Sequence, residues 1–187
     1  MEQDEYILDN EFKFEHKVRY AGFWIRFGAS LIDSLVMIPI VILTFYNIFM
    51  LKSFLFYVII AIIGAMYKPL MEHYYGATVG KMAVSIKVVN PSLQRIDLGQ
   101  SFLRSLPWLL QTGVGIVSMY FMFYTYGFDE VFEFMDFVSF QGSVDDPVSF
   151  LSSFISLFLL VTGIVIATND FAQGLHDKMA NTFVIYK

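Results

Sequence analysis

The chain has 187 residues, of which 57% are hydrophobic and only 16% are charged. A soluble domain of this length has no interior large enough for 21 Phe and 11 Tyr, so the composition excludes an ordinary soluble domain and indicates an integral membrane protein. The absence of cysteine excludes disulfides, Cys-ligated zinc, iron–sulfur clusters and thiol catalysis.

The membrane-spanning segments follow from the length of the apolar runs, because a helix needs about 20 mainly apolar residues to cross the hydrocarbon core. Residues 1–22 begin with an acidic stretch, lack the basic start of a signal peptide, and are expected to form a cytoplasmic segment. Four apolar runs follow, over residues 23–49, 54–71, 106–126 and 148–168. We therefore predict an all-α membrane protein of about four transmembrane helices, in which a tight turn makes the first two an antiparallel hairpin.

The orientation is predicted by the basic residues, which stay on the cytoplasmic side of short loops. Eleven of the 12 Lys and Arg residues lie on one side of the four runs, and Lys52 alone lies on the other. The loop over residues 127–147 carries six Asp and Glu and no Lys or Arg. We therefore expect both chain ends in the cytoplasm and an external acidic loop, whose aromatic residues predict an amphipathic helix on the outer surface.

A small cytoplasmic β-element is predicted between the second and third spans. Val84, Ile86 and Val88 alternate with polar side chains, which is the period of a strand over residues 82–89. A turn at residues 90–92 precedes a possible return strand over 94–98, and the stretch 181–187 is also rich in β-forming residues. The segment before the first strand is interpreted as a helix that ends at Gly76, followed by a turn.

Two ionisable side chains, Arg26 and Asp33, stand within the first span. An Asp near the centre of a spanning helix costs roughly 2.5–3.5 kcal/mol, so such residues turn inward or find partners. Their separation of seven positions corresponds to a rise of about 10 Å, which argues against a direct bond. We expect Arg26 at the cytoplasmic interface, where Asp170 or Asp177 is a candidate partner, and Asp33 deeper in the bundle.

Each of these residues allows a functional and a structural interpretation. Asp33 is either a proton or cation site or a carboxylate that holds helices together through hydrogen bonds. Arg26 is either part of an ion pair with a function or an interfacial anchor for lipid headgroups. Asp177 is more simply a capping or pairing residue than a catalyst.

No residue pattern in the sequence indicates a cofactor or metal site. The three histidines are scattered along the chain, so no metal site is expected. The stretch from Gly76 to Met82 differs from a phosphate-binding loop by one residue of glycine spacing and by Met82 in the place of Ser or Thr. The basic residues are too dispersed to recognise nucleic acid. We therefore expect no cofactor, no metal, no nucleic acid and no enzymatic activity.

Several motifs, in order and spacing, resemble the RDD family of small bacterial membrane proteins, which is named for one arginine and two aspartates. The stretch from Arg26 to Asp33 resembles its opening motif, and Gly76-Ala-Thr-Val-Gly-Lys81 resembles its central segment. Phe102-Leu-Arg104 and the closing stretch Gly174-Leu-His-Asp177-Lys-Met-Ala-Asn-Thr182 match its later motifs. The chain differs at Asn181, where the family commonly has Gly, and in its long acidic loop.

The resemblance implies an RDD-like transmembrane domain over residues 23–187 in the bacterial cytoplasmic (inner) membrane. It assigns the three name-giving positions to Arg26, Asp33 and Asp177. Transport is proposed for the family, and sodium–proton antiport is suggested for some members.

Three hypotheses for function stay open at this point. The first is ion-coupled transport of a proton or sodium through Asp33, with Arg26 and Asp177 as an inner gate. Because four spans rarely enclose a pathway alone, it predicts a homo-oligomer or a larger membrane complex. The second is a non-transporting accessory or scaffold subunit that docks a protein partner, for which the acidic loop is a candidate surface. The third, an enzyme acting on lipid headgroups, lacks a nucleophile or a metal.

Overall fold

A computed structural model describes residues 18–168 and 172–187 of the chain. Most of the expected N-terminal segment and the candidate partner Asp170 lie outside these residues. The helices of the described part are α1 (Phe23–Val36), α2 (Ile38–Tyr46), α3 (Phe54–Tyr75), α4 (Val79–Ala83), α5 (Leu98–Tyr124), α6 (Phe134–Ser143), α7 (Ser149–Thr168) and α8 (Leu175–Met179). Its strands are β1 (Ile86–Val89) and β2 (Phe183–Tyr186).

The membrane spans confirm the predicted fold class. Helices α3, α5 and α7 are each long and apolar enough to cross a membrane, and α1 with α2 passes the same test as a bent pair. The described residues therefore contain three spans, or four if the bent pair counts as one. The structure does not define which side faces the cytoplasm, so the orientation stays a prediction.

The first span was predicted as one helix over residues 23–49, and it is instead bent by 44° at Met37. Pro39 lies in the first turn of α2 and has no backbone N–H to continue the hydrogen bonding of α1. A π-helical turn, Asn47–Leu51, then extends the span beyond its predicted end. The Asn47 side chain exchanges two hydrogen bonds with the Ser53 backbone, which closes the predicted hairpin turn.

The other spans differ from the prediction at their ends. Helix α3 continues to Tyr75, and its C-cap Gly76 adopts a left-handed conformation with φ of 70°. Helix α5 begins at Leu98 instead of residue 106, because Asp97 and Gln100 form a reciprocal capping box there. Its first two turns carry polar side chains, so hydropathy alone missed them. Helix α5 ends at Tyr124, and α7 begins one residue later than predicted.

The β-element forms a sheet of two antiparallel strands within the described residues, with Ile86 opposite Tyr186 and Val89 opposite Phe183. The predicted strand over residues 82–89 is too long, because Thr78 caps a short helix, α4, whose last residue is Ala83. The predicted return strand over 94–98 is wrong. Asn90 closes a turn with Gln94, and the chain then enters the cap of α5.

The sheet defines one end of the bundle, here called the sheet end. Backbone bonds from Ala21 to Val184 and from Tyr186 to Arg19 attach the sheet to the residues that precede α1. The buried apolar residues around it are Ala21, Ala29, Ile86, Val88, Ile96 and Val184. Helices α4 and α8 lie at this same end.

The opposite end, here called the loop end, carries the acidic stretch over residues 127–147. A second apolar cluster lies here, formed by Ile48, Met119, Met122, Phe128 and Val131. The helix predicted in this loop is present as α6, but Phe128 and Val131 precede it and are buried instead of facing outward. The Lys52 ammonium donates hydrogen bonds to the backbone carbonyls of Phe128 and Asp129, which holds the loop against the helical hairpin.

Candidate functional site at the sheet end

The centre of the candidate site is Asp177 of α8, whose side chain has no exposed surface. Its Oδ2 accepts hydrogen bonds from Arg26 Nη1 at 2.5 Å and from the Gly174 N–H at 3.1 Å. Its Oδ1 lies 3.0 Å from Arg104 Nη1 and 3.2 Å from His176 Nε2. Of the two carboxylates considered for Arg26, Asp177 is the one that the structure places beside it.

The ion pairs continue from Asp177 to α3 and α4. Arg104 of α5 also places its Nε 3.0 Å from Glu72 Oε2, and Glu72 Oε1 accepts a bond from the Lys81 ammonium. One connected network thus joins three cations with two carboxylates. Its members come from five helices, so the network links the spans to the two short helices of the sheet end.

Helix ends bring these charges together. Arg26 lies in the first turn of α1, Glu72 in the last turn of α3, and Arg104 in the second turn of α5. The spans therefore present their charges at one membrane level, as expected for ionisable residues that avoid the hydrocarbon core. Asp177 reaches this level because Thr182 and Gly174 hold the ends of its short helix: Thr182 N–H bonds the Asp177 carbonyl and Lys178 N–H bonds that of Gly174.

The charges of the network control its protonation. Burial alone would raise the pKa of the Asp177 carboxyl, but Arg104, His176 and Arg26 outweigh burial and hold that pKa well below its usual range. Burial lowers the pKa of the Lys81 ammonium, and Glu72 offsets only part of that effect. Asp177 is therefore ionised at neutral pH, and its pair with Arg26 does not open by protonation of this carboxylate there.

Asp33 occupies a separate polar site, 5% exposed, between α1 and α4. Its Oδ1 accepts hydrogen bonds from the Tyr67 hydroxyl and the Gly80 N–H, each at 2.8 Å, and its Oδ2 accepts one from the Thr78 hydroxyl at 2.6 Å. Among the described residues no cation lies within ion-pair distance of it, and Arg26 bonds elsewhere. The buried Asp33 carboxylate thus accepts three hydrogen bonds from uncharged donors.

Two cavities border this carboxylate. One, of about 360 Å³, lies at the sheet end and is lined by Arg26, Lys81 and Arg104 among others. The second, of about 540 Å³, extends along the bend of the first span and is mostly apolar. They share the lining residues Ser30, Asp33, Lys68 and Trp108. Asp33 therefore lies where a polar and an apolar cavity adjoin.

The structure brings two of the three predicted site residues together, Arg26 and Asp177, and places Asp33 apart from them. Sequence reasoning missed Glu72 and Lys68. Both lie on α3 at a spacing of four residues, but the predicted end of that span at residue 71 removed Glu72 from consideration. A carboxylate and a lysine one helical turn apart at the end of an apolar run would have been the available signal.

A dedicated metal site is not evident in the described ranges, where no group of three potential His, Asp or Glu ligands is arranged for one. The carboxylates of the network instead face arginine and lysine.

Comparison with known proteins gives one match. The profile of the RDD family matches residues 20–181, which include the whole ionic network and all of the described lining residues of the two cavities except Val184. Neither a curated protein nor a solved structure matches the chain.

Proposed function

Because the chain belongs to the RDD family and its Asp33 carboxylate lies where two cavities adjoin, we propose that it is an ion-coupled membrane transporter that carries a proton or a sodium ion through Asp33. The adjoining cavities are the observation that carries this proposal. An ionisable side chain in a spanning helix that borders a cavity is the usual mark of an ion or proton path.

The oxygen atoms around Asp33 suit either ion. The hydroxyls of Tyr67 and Thr78 donate to the carboxylate, and each can also accept a hydrogen bond from a protonated carboxyl group. A sodium ion prefers oxygen ligands, and the carboxylate, Thr78 Oγ1 and the neighbouring Ser30 hydroxyl offer them. Protonation and cation binding at Asp33 then exclude each other, which is the coupling that antiport requires.

The ionic network is the proposed inner gate. Arg26, Arg104 and Glu72 line the sheet-end cavity, and the two arginines both pair with Asp177. Because Asp177 stays ionised at neutral pH, protonation of this carboxylate does not open the proposed gate. The gate pairs then separate by movement of α8 relative to α1.

Because four spans rarely enclose a pathway alone, the proposed transporter requires a second copy of the chain. Only 6% of the apolar window of α7 is buried within the chain, so most of that helix is left for lipid or for another subunit. We propose a homo-oligomer in which α7 packs against a neighbouring copy, in the bacterial inner membrane with both ends in the cytoplasm.

The test is ion flux in proteoliposomes that contain a pH-sensitive dye and are given a sodium gradient. Asp33→Asn should abolish sodium-dependent proton movement, because the amide neither carries a proton nor balances a cation. Asp136→Asn, which removes the same charge from α6 at the loop end, should retain it. Equal flux from both variants would contradict the proposal, provided that both elute as single species in size-exclusion chromatography.

A second candidate, a non-transporting accessory subunit, is favoured by one observation. Asp33 already has three hydrogen-bond donors, so it can act simply to attach α4 to α1. Neither candidate includes a catalytic step. Native mass spectrometry of the wild type and Asp33→Asn separates them: a homo-oligomer that survives the substitution supports transport, whereas a defined complex with another protein, lost on substitution, supports the accessory role.

A further inference from the structure

The sheet-end cavity holds more positive than negative charge. Its walls carry Arg26, Lys68, Lys81 and Arg104. The carboxylates that face these cations are Asp33 and Glu72 in the cavity wall and Asp177 behind it. Among the residues that the structure describes, four cations thus meet three carboxylates, an excess of one positive charge.

Two cations in this wall have unused hydrogen-bonding or charge-pairing capacity within the described part of the chain. Arg26 uses Nε for the Ala21 carbonyl and Nη1 for Asp177, whereas its Nη2 is buried without a hydrogen-bond partner. Lys68 lies over the Trp108 ring at 4.6 Å, and the described residues offer it no carboxylate within ion-pair distance. A buried donor without an acceptor costs free energy, so Arg26 Nη2 points to an anion that completes it. The half-buried Lys68 lines the same cavity and adds a second positive charge that such an anion can face.

The apolar part of the cavity wall reaches the surface of the bundle. Phe27 of α1, Trp108 of α5 and Leu159 of α7 line it and are 47%, 37% and 37% exposed. The cavity therefore opens sideways between spans, toward lipid. An anion with an apolar tail fits such a wall better than a fully hydrated one.

The depth of the cationic groups is that of a lipid phosphate. Arg26 lies three residues inside the first residue of α1, Arg104 six residues inside that of α5, and Lys68 seven residues before the last of α3. At a rise of 1.5 Å per residue, these Cα atoms lie roughly 5–10 Å from the helix ends. This is the boundary between headgroups and acyl chains.

We propose that the sheet-end cavity binds the phosphodiester of an anionic membrane lipid, with Arg26 Nη2 and the Lys68 ammonium as its donors and the acyl chains lying along Phe27 and Leu159. The proposal does not rest on transport. It applies equally to an accessory subunit, for which the lipid would be a structural ligand.

Native mass spectrometry of the detergent-purified chain tests this with phosphatidylglycerol and phosphatidylcholine of the same acyl chains. Wild type should bind phosphatidylglycerol about tenfold more tightly, or by about 1.4 kcal/mol, because both lipids present the phosphodiester but the choline cation of phosphatidylcholine is repelled by the cationic wall. Lys68→Gln should lose that preference and still fold, since Lys68 forms no ion pair. Lys87→Gln, the same change on β1 outside the cavity, should retain it.

Arg26→Lys supplies a second variant that keeps the charge beside Asp177 and removes Nη2. It should weaken the binding of both lipids, because each presents the phosphodiester to which Arg26 Nη2 donates in the proposal. Equal affinity of the wild type for the two lipids, or a Lys68→Gln variant that binds like Lys87→Gln, would overturn the proposal. Displacement of the lipid by glycerol phosphate at the same concentration would contradict a membrane lipid as the ligand and would assign the site to a soluble phosphate.

Discussion

At the scale of single residues, the two buried aspartates differ in what stabilises their charge. Asp177 faces two arginines and a histidine, so its environment is ionic. Asp33 accepts bonds from two hydroxyls and one backbone N–H, so its environment is neutral. This difference is the physical reason why we propose Asp177 as part of a gate and Asp33 as the site of the exchangeable ion.

Asp177→Asn should be among the most destabilising single substitutions in the chain. It leaves Arg26 and Arg104 buried with less opposing charge, and breaking a buried ion pair by removing one partner costs about 3–5 kcal/mol. The loss of stability is measured as a decrease in the free energy of unfolding in mixed detergent micelles. Asp145→Asn in the exposed loop is the matched control and should change it by less than about 0.5 kcal/mol.

Acid should weaken the same contacts. The pKa of the Asp177 carboxyl is lowered by folding, so its contribution is complete above the unfolded value of about 4 and is lost as the pH falls toward the folded value. Wild-type stability should therefore decrease below about pH 4, and the decrease should be smaller in Asp177→Asn. Parallel pH profiles for the two proteins would show that other groups govern acid unfolding.

At the scale of elements, α4 is held against α1 by close backbone approach. A Cβ on Gly80 would overlap the Ala29 carbonyl oxygen and lie 2.8 Å from the Asp33 carboxyl carbon. The hydrogen bond from the Gly80 N–H to Asp33 needs this proximity. The contact also fixes Thr78, which caps α4 and donates to Asp33.

Gly80→Ala should separate α4 from α1 and cost about 3 kcal/mol or more, because backbone cannot yield as a flexible side chain can. Gly113→Ala is the matched control, since a Cβ there meets nothing within 4 Å inside helix α5. Unfolding midpoints of the two variants measure the difference. A Gly80→Ala protein as stable as Gly113→Ala would mean that the two helices are not packed this closely.

At the scale of the whole molecule, the bundle has two chemically different ends. The sheet end contains the ion pairs of Asp177 and Glu72, whereas the acidic side chains of the loop end form no ion pair among the described residues. The basic residues predict that the sheet end faces the cytoplasm. This orientation decides which side of the membrane the proposed gate closes.

The chain contains no cysteine, which makes the orientation directly measurable. Ser143→Cys at the exposed end of α6 should react with a membrane-impermeant maleimide in intact cells. Ser92→Cys, in the exposed turn after β1, should react only after the membrane is permeabilised. The reverse labelling would show that the acidic loop is cytoplasmic, and the unmodified chain serves as the blank.

The amino-acid sequence by itself determined the fold class, the approximate spans and the family, because long apolar runs and ordered motifs are local properties of a chain. It also identified Arg26 and Asp33 as residues too costly to leave unpaired in a span, and the family resemblance added Asp177. It could not determine the bend at Met37, the start of α5 or the pairing of β1 with β2, since these depend on capping and on partners distant in the chain. Only the tertiary structure decided that Glu72 and Arg104 join Asp177 and that Asp33 borders both cavities, because ion pairs and cavities arise where several helices meet.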